Sequence, residues 1–139
     1  MYSSSTLDMT IAAAPQGVSA GCLSCHDGIT AYDSLINNPT GLTAPGTMGA
    51  GNPLAVGSGG DLANDHPISI TYDTAADPDF NAPVSGKVNG LPLYDAPGGG
   101  VTFDQVECGS CHNPHDTQFG TFLRVNNQDS ALCLSCHAK

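Results

Sequence analysis

The sequence predicts a mostly irregular chain with a few short helices, minimal β-strand, and an interior filled by something other than its own side chains. Three observations carry this expectation. Only 27 of the 139 residues are Leu, Ile, Val or Phe, just under the floor of roughly 20% for globular chains. Glycines number 17 and prolines 10, well above their usual combined share of about 12%. Six cysteines fall into three pairs of identical spacing, each pair followed directly by His. With 3 Lys and Arg against 13 Asp and Glu, the net charge is −10. Few large apolar residues and lopsided charge are the marks of disorder, because such a chain cannot offset the entropy of folding by burying its own surface. A folded state therefore requires a core that is not made of amino acids.

Several classes drop out on composition. Lys87, Arg124 and Lys139 are the only fixed cations, so no basic patch exists for nucleic acid or an anionic membrane surface. No apolar run approaches the roughly 20 residues of a transmembrane helix. No P-loop, GxSxG or HExxH motif occurs. The segment Met1-Tyr2-Ser3-Ser4-Ser5 lacks the basic region and apolar stretch of a signal peptide, and is read as the start of a mature chain.

The three cysteine segments are Cys22-Leu23-Ser24-Cys25-His26, Cys108-Gly109-Ser110-Cys111-His112 and Cys133-Leu134-Ser135-Cys136-His137. CxxCH is the attachment motif of c-type haem. Two thiols three residues apart reach the two vinyl groups of one porphyrin as thioethers, and the next residue brings an imidazole to the iron. A disulfide framework gives no reason for the trailing His. Structural zinc wants two CxxC pairs per ion, and three pairs separated by 86 and 25 residues divide badly. A thioredoxin-type CxxC needs a βαβ context that the pattern lacks. The expected fold is thus a haem-cored triheme cytochrome c over residues 1–139, with three haem c groups as its cofactors. Haem faces supply the missing apolar surface, and Gly and Pro let the chain bend closely around them. Attachment of c-type haem takes place outside the cytoplasm, so export is expected, to the cell surface or beyond, with the periplasm as the alternative.

Along the chain, residues 1–20 form a polar arm with no evident core to join within its own subunit. Residues 21–30 carry motif 1, on a helix expected over 16–28 with Gly28 as its C-terminal cap. Residues 31–103 read as a Gly/Pro-rich loop region, with turn signals at Asn38-Pro39, Pro45-Gly46, Gly57-Ser58-Gly59-Gly60 and Gly98-Gly99-Gly100. One strand signal stands out there, Ile68, Ile70 and Tyr72 alternating with Ser69 and Thr71. Residues 104–139 carry motifs 2 and 3, on short helices expected over 104–116 and 128–137, the second capped by Asp129. The acids Asp61, Asp65, Asp73, Asp77 and Asp79 do not match a calcium loop and read as solvated loop residues. The four Phe and four Tyr are expected to pack on haem edges.

Two further histidines remain, His66 in Asn64-Asp65-His66-Pro67 and His115 in His112-Asn113-Pro114-His115. His112 and His115 face the same way if they share a helical turn. Axial ligands approach iron from opposite faces, so the two serve different haems. Three irons have six axial positions and the chain has five His. The sixth position then falls to Met48, Met9, Met1, the terminal amine or a Lys, or stays open, and its haem is expected to titrate apart from the others. The expected pairs are His112 with His66 and His26 with His115, leaving the His137 haem with the unusual ligand.

Taken together, CxxCH, NDHPI, VECGSCHNPHD and FLRVNNQDSALCLSCH resemble the multihaem c-type cytochromes of the doubled-CxxCH kind. Within that group the chain is most similar to outer-surface cytochromes that polymerise into extracellular nanowires. The resemblance covers roughly residues 20–30, 62–73 and 104–138, and it implies that His66 and His115 are distal ligands. The filament members carry four or more haems, all with two His ligands, whereas this chain has three motifs and five His. With most axial sites filled by His, the expected function is an electron conduit and no enzyme, working as a homopolymer with other redox proteins or extracellular electron acceptors as partners. The alternatives are a soluble periplasmic or surface triheme carrier, or a small-oxidant reductase at the under-ligated haem. The polar arm, buried against the next subunit, is the expected joint of that polymer.

Overall fold

Short elements joined by long connections are what this composition allows. A computed structural model of the chain describes residues 2–30, 52–57, 61–98 and 100–138. In order come α1 (Gly17–His26), β1 (Ile70–Thr71), β2 (Lys87–Val88), β3 (Leu91–Pro92), β4 (Gln105–Val106), α2 (Cys108–Cys111), a 3-10 turn (Gln128–Ser130) and α3 (Ala131–Cys136). The cysteines of each CxxCH motif lie on a helix, and the other described residues are irregular apart from the 3-10 turn and two small antiparallel pairs. That is the fold class the sequence predicts. Met48, Lys139 and the turn signals at Asn38-Pro39 and Pro45-Gly46 lie outside the described residues.

The first pair sets Ile70 opposite Val106 and Thr71 opposite Gln105. The second sets Lys87 opposite Pro92 and Val88 opposite Leu91. Its two-residue loop is Asn89-Gly90, both at positive φ (47° and 91°), the conformation that Asn-Gly adopts in a tight hairpin. This hairpin signal stands in the sequence and was not among the expected elements.

Three expectations about the helices are corrected. The helix predicted over 104–116 shrinks to α2, because Gln105 and Val106 are taken by β4. On its other side His112 is extended (φ −111°, ψ 142°), and Asn113 precedes a proline, which disfavours helix. His112 and His115 therefore do not share a helical turn. Asp129 does not cap α3 either. It sits at φ 53° and Ser130 at φ 62°, while the Leu132 N–H donates to Asn127 Oδ1 at 3.3 Å. The start of α1 is Gly17, and the expected cap at its other end holds, with Gly28 left-handed (φ 72°) just beyond Asp27.

The polar arm also differs from expectation, for it has a core to join in its own chain. Leu7, Met9 and Ile11 alternate with polar residues and lay one apolar edge along β1. Ile11 pairs with Ile70, the Ala12 N–H donates to the Ser69 carbonyl at 2.9 Å, and the Thr71 N–H to the Thr10 carbonyl at 2.8 Å. Met9 enters the buried cluster with Ile70, Tyr72, Val88, Leu93 and Val106, against which Leu7, Ile11, Phe80 and Cys136 pack. The period of two over residues 7–11 carries this placement.

Alternation fails just before β1. Ser69 is fully buried beside buried Ile70 because its positive φ of 53° turns the chain and sends the hydroxyl inward.

Motif 2 has Gly109 where motifs 1 and 3 have Leu23 and Leu134, and packing explains the difference. A Cβ at Gly109 would stand 2.5 Å from the Tyr94 hydroxyl, 2.9 Å from its Cζ and 3.1 Å from Val18 Cγ1. Gly109→Leu is expected to destabilise the haem-loaded protein by about 1–3 kcal/mol through overpacking. Leu134→Ala, at a half-exposed position, is expected to stay within about 0.5 kcal/mol. Thermal unfolding of the two variants side by side checks the contrast.

Candidate haem sites

Each motif delivers its imidazole at a helix end. His26 closes α1, and His112 and His137 follow directly on α2 and α3, their N–H groups donating to the first cysteine carbonyl of the same motif (Cys108 at 3.0 Å, Cys133 at 2.9 Å). The His26 Nδ1–H donates to the Leu54 carbonyl and the His112 Nδ1–H to the Thr121 carbonyl, each at 2.9 Å. His66 does the same toward the Pro67 carbonyl at 2.9 Å. A carbonyl oxygen can only accept, so these bonds place a proton on Nδ1, and the neutral ring of that tautomer presents its lone pair at Nε2. Metal-binding imidazoles are oriented by this kind of bond. His137 is placed differently, with Phe80 tilted against it at a ring-centroid distance of 4.4 Å.

A buried polar clamp joins motif 1 to motif 2. Glu107, 1% exposed, precedes α2; its carboxylate accepts from the Ser110 N–H, and the Glu107 N–H donates to Ser110 Oγ at 3.0 Å. The Ser69 hydroxyl donates to the same carboxylate, at 3.1 Å to either oxygen, and accepts from the Gln16 N–H at 2.8 Å, at the start of α1. Buried Ser19, on α1, accepts the Cys108 N–H at 2.9 Å. Two CxxCH segments far apart in sequence are thereby held helix to helix. Motif 2 with Glu107 and Ser110 reads as a capping box with its usual order reversed. This reversed Glu-x-x-Ser is the signal in the sequence that marks Glu107 as a structural acid.

Motif 2 meets motif 3 across a cavity of about 470 Å³. Cys111, His112, Cys133, Cys136 and His137 line it, with His66, Met9 and the rings of Tyr72 and Phe80 on the other walls. The Tyr72 hydroxyl donates to the Asn81 carbonyl at 2.8 Å and the Cys136 carbonyl at 3.2 Å, anchoring the aromatic wall to α3.

The cysteines lie close enough to influence one another. Burial, then Cys108 and Glu107 nearby, pushes the Cys22 thiol up. Burial, followed by Cys108 and Cys133, pushes Cys111 up against the opposing pull of Arg124. Burial and then Cys111 push Cys136 up to about 11. Redox-active and metal-binding thiols need the opposite, a lowered pKa. Among the described residues no group of three or more His, Cys, Asp or Glu is arranged to hold a metal ion by itself. Imidazoles presenting Nε2 and a largely apolar cavity with aromatic walls, lined by Cys111, Cys133 and Cys136 from both cysteine pairs, fit haem.

His66, His112 and His137 thus come to one cavity, and Met9 joins them. His26 and exposed His115 are not among its lining residues. The acids Asp61, Asp73 and Asp77 accept N–H bonds two residues onward (2.9, 2.8 and 2.9 Å), so they stabilise turns. Asp65, beside His66, differs in having a buried Oδ2 without a hydrogen-bond partner.

Residues 101–139 match the family described as Doubled CXXCH motif. The matched stretch contains motifs 2 and 3, so Cys108 with Cys111 and Cys133 with Cys136 carry the signature of covalent c-type haem, which supports a multihaem c-type cytochrome. No curated protein matches the chain.

Removing the Glu107 carboxylate leaves the buried Ser69 hydroxyl without its acceptor, at a cost of about 1–3 kcal/mol. Glu107→Ala is expected to lower the denaturation midpoint of the haem-loaded protein accordingly. Equilibrium unfolding followed in the Soret band measures it.

Proposed function

We propose that the protein is an electron conduit in which three covalent haems, one per CxxCH motif, pass electrons in series. The contiguity of the motifs is the observation that carries this reading: Cys22 is a neighbour of Cys108, and motifs 2 and 3 share one cavity. Bound haem supplies one-electron Fe(III)/Fe(II) chemistry. The chain's own part is to hold the imidazoles by their Nδ1–H bonds, to cover the macrocycles, and to keep the motifs in contact. Five His for three irons leaves little room for substrate on iron. No further His is available as an acid–base partner, so catalysis is not part of this proposal.

Covalent haem attachment implies export, and the sequence resemblance suggests an extracellular filament as the working form. Half-exposed Ile29 and Leu134, beside motif 1 and within motif 3, support contacts near both ends of the series. A head-to-tail contact there would not close on itself. Redox partners or extracellular acceptors would take the electrons from its end. One observation favours a second reading, a monomeric exported carrier. The arm expected to join subunits is docked on its own chain, so polymerisation would need another joint.

The intact mass of the exported protein is expected to equal the chain plus three haems. His66→Leu and His115→Leu should each free one axial position, adding one haem equivalent of carbon monoxide binding to the reduced protein. An unchanged titration removes that His from the ligand set. Electron microscopy at physiological salt separates the working forms: filaments support the polymer, uniform monomers at high concentration the carrier.

A further inference from the structure

We infer that Met9, delivered by the N-terminal arm of the same chain, is the sixth axial ligand, and that it serves the haem of motif 3. The inference rests on the three-haem reading and adds the donor that its histidines leave missing.

Three haems need six axial donors, and the cavity divides the candidates four and two. His66, His112, His137 and Met9 line it, which is two donors for each iron of motifs 2 and 3. His26 and His115 lie outside that lining, and by the donor count these two remain for the iron of motif 1. Without Met9 the cavity holds three donors for two irons, and Lys87, the one lysine among the described residues, is exposed and not part of its lining.

Within the cavity, Met9 sits toward motif 3. It belongs to the buried cluster against which Cys136 and Phe80 pack, and Phe80 lies on the ring of His137. The alternation of Leu7, Met9 and Ile11 along β1 brings the side chain there, and the two backbone bonds on either side of Ile11 fix its register. An unbranched thioether is flexible enough to reach a metal and soft enough to bind haem iron. It carries no proton, so acid does not compete for it as it does for imidazole. A Met/His haem has a raised potential relative to a bis-His haem, so the motif 3 haem becomes the electron sink of the series.

The ferric holoprotein is expected to show a thioether-to-iron charge-transfer band equivalent to one haem in three. Met9→Leu, close in volume and apolar, should abolish the band and open one haem in three to carbon monoxide on reduction. Met9→His should also abolish it, yet keep all three haems six-coordinate, with one potential shifted downward in a redox titration. This second variant guards against loss of the band through misfolding. A band absent from the wild type, retained in Met9→Leu, or lost on dilution (a ligand supplied by another copy) overturns the inference. Haem is counted separately by pyridine haemochrome: three per chain in wild type and variants upholds the reading beneath, and fewer in the wild type overturns that reading together with the donor count.

Discussion

Everything in this structure depends on how little apolar material the chain has to bury. Among the described residues the buried hydrophobics are Met9, Leu62, Ile70, Tyr72, Val88, Leu91, Leu93 and Val106. Such a set can hold two short strand pairs together, but it cannot also fill the space between them and α3. The result is a small protein core with a cavity at its side, walled by cysteines and histidines. Haem is apolar on both faces and tethered through both thiols, so it completes a core that the polypeptide leaves unfinished. Stability and function then share one cause, since the groups that hold the fold together are those that move electrons.

A second consequence concerns the placement of the motifs. Covalent tethering alone would fix each haem to its own segment without relating one segment to another. The relation comes from polar groups, with Glu107 and Ser69 tying the start of α1 to the start of α2 and Ser19 taking the Cys108 N–H. Buried carboxylates of this kind are strongly destabilising when a partner is removed, so the clamp permits few alternative arrangements. Motifs 2 and 3 are related by the aromatic wall, with Tyr72 bonded to the Cys136 carbonyl and Phe80 laid against His137. The three motifs are therefore related by two unlike contacts, one a hydrogen-bonded clamp and the other an apolar cavity.

Much of this was legible in the sequence, and what was not has identifiable physical reasons. The irregular class, the short helices at CxxCH and the left-handed Gly28 follow from local rules. The helix expected over 104–116 failed because the pairing of Val106 with Ile70 is a contact across 36 residues, which no local propensity records. Asp129 failed as a cap because an Asn two residues earlier supplies the acceptor. The arm was misjudged on its polarity: Leu7, Met9 and Ile11 are only three apolar residues, but their spacing matches a strand edge. Glu107 read as one acid among thirteen, since its burial depends on Ser69 turning inward at a positive φ.

The central claim is that haem supplies the core, and folding without haem tests it most directly. The same chain can be produced where no haem is attached and its near-ultraviolet circular dichroism followed during heating, under reducing conditions. The account predicts weak aromatic signals and no cooperative transition, because the cavity beside Tyr72 and Phe80 then has nothing to close on. A sharp transition near that of the haem-loaded protein would contradict it, by showing that the polypeptide forms its core unaided.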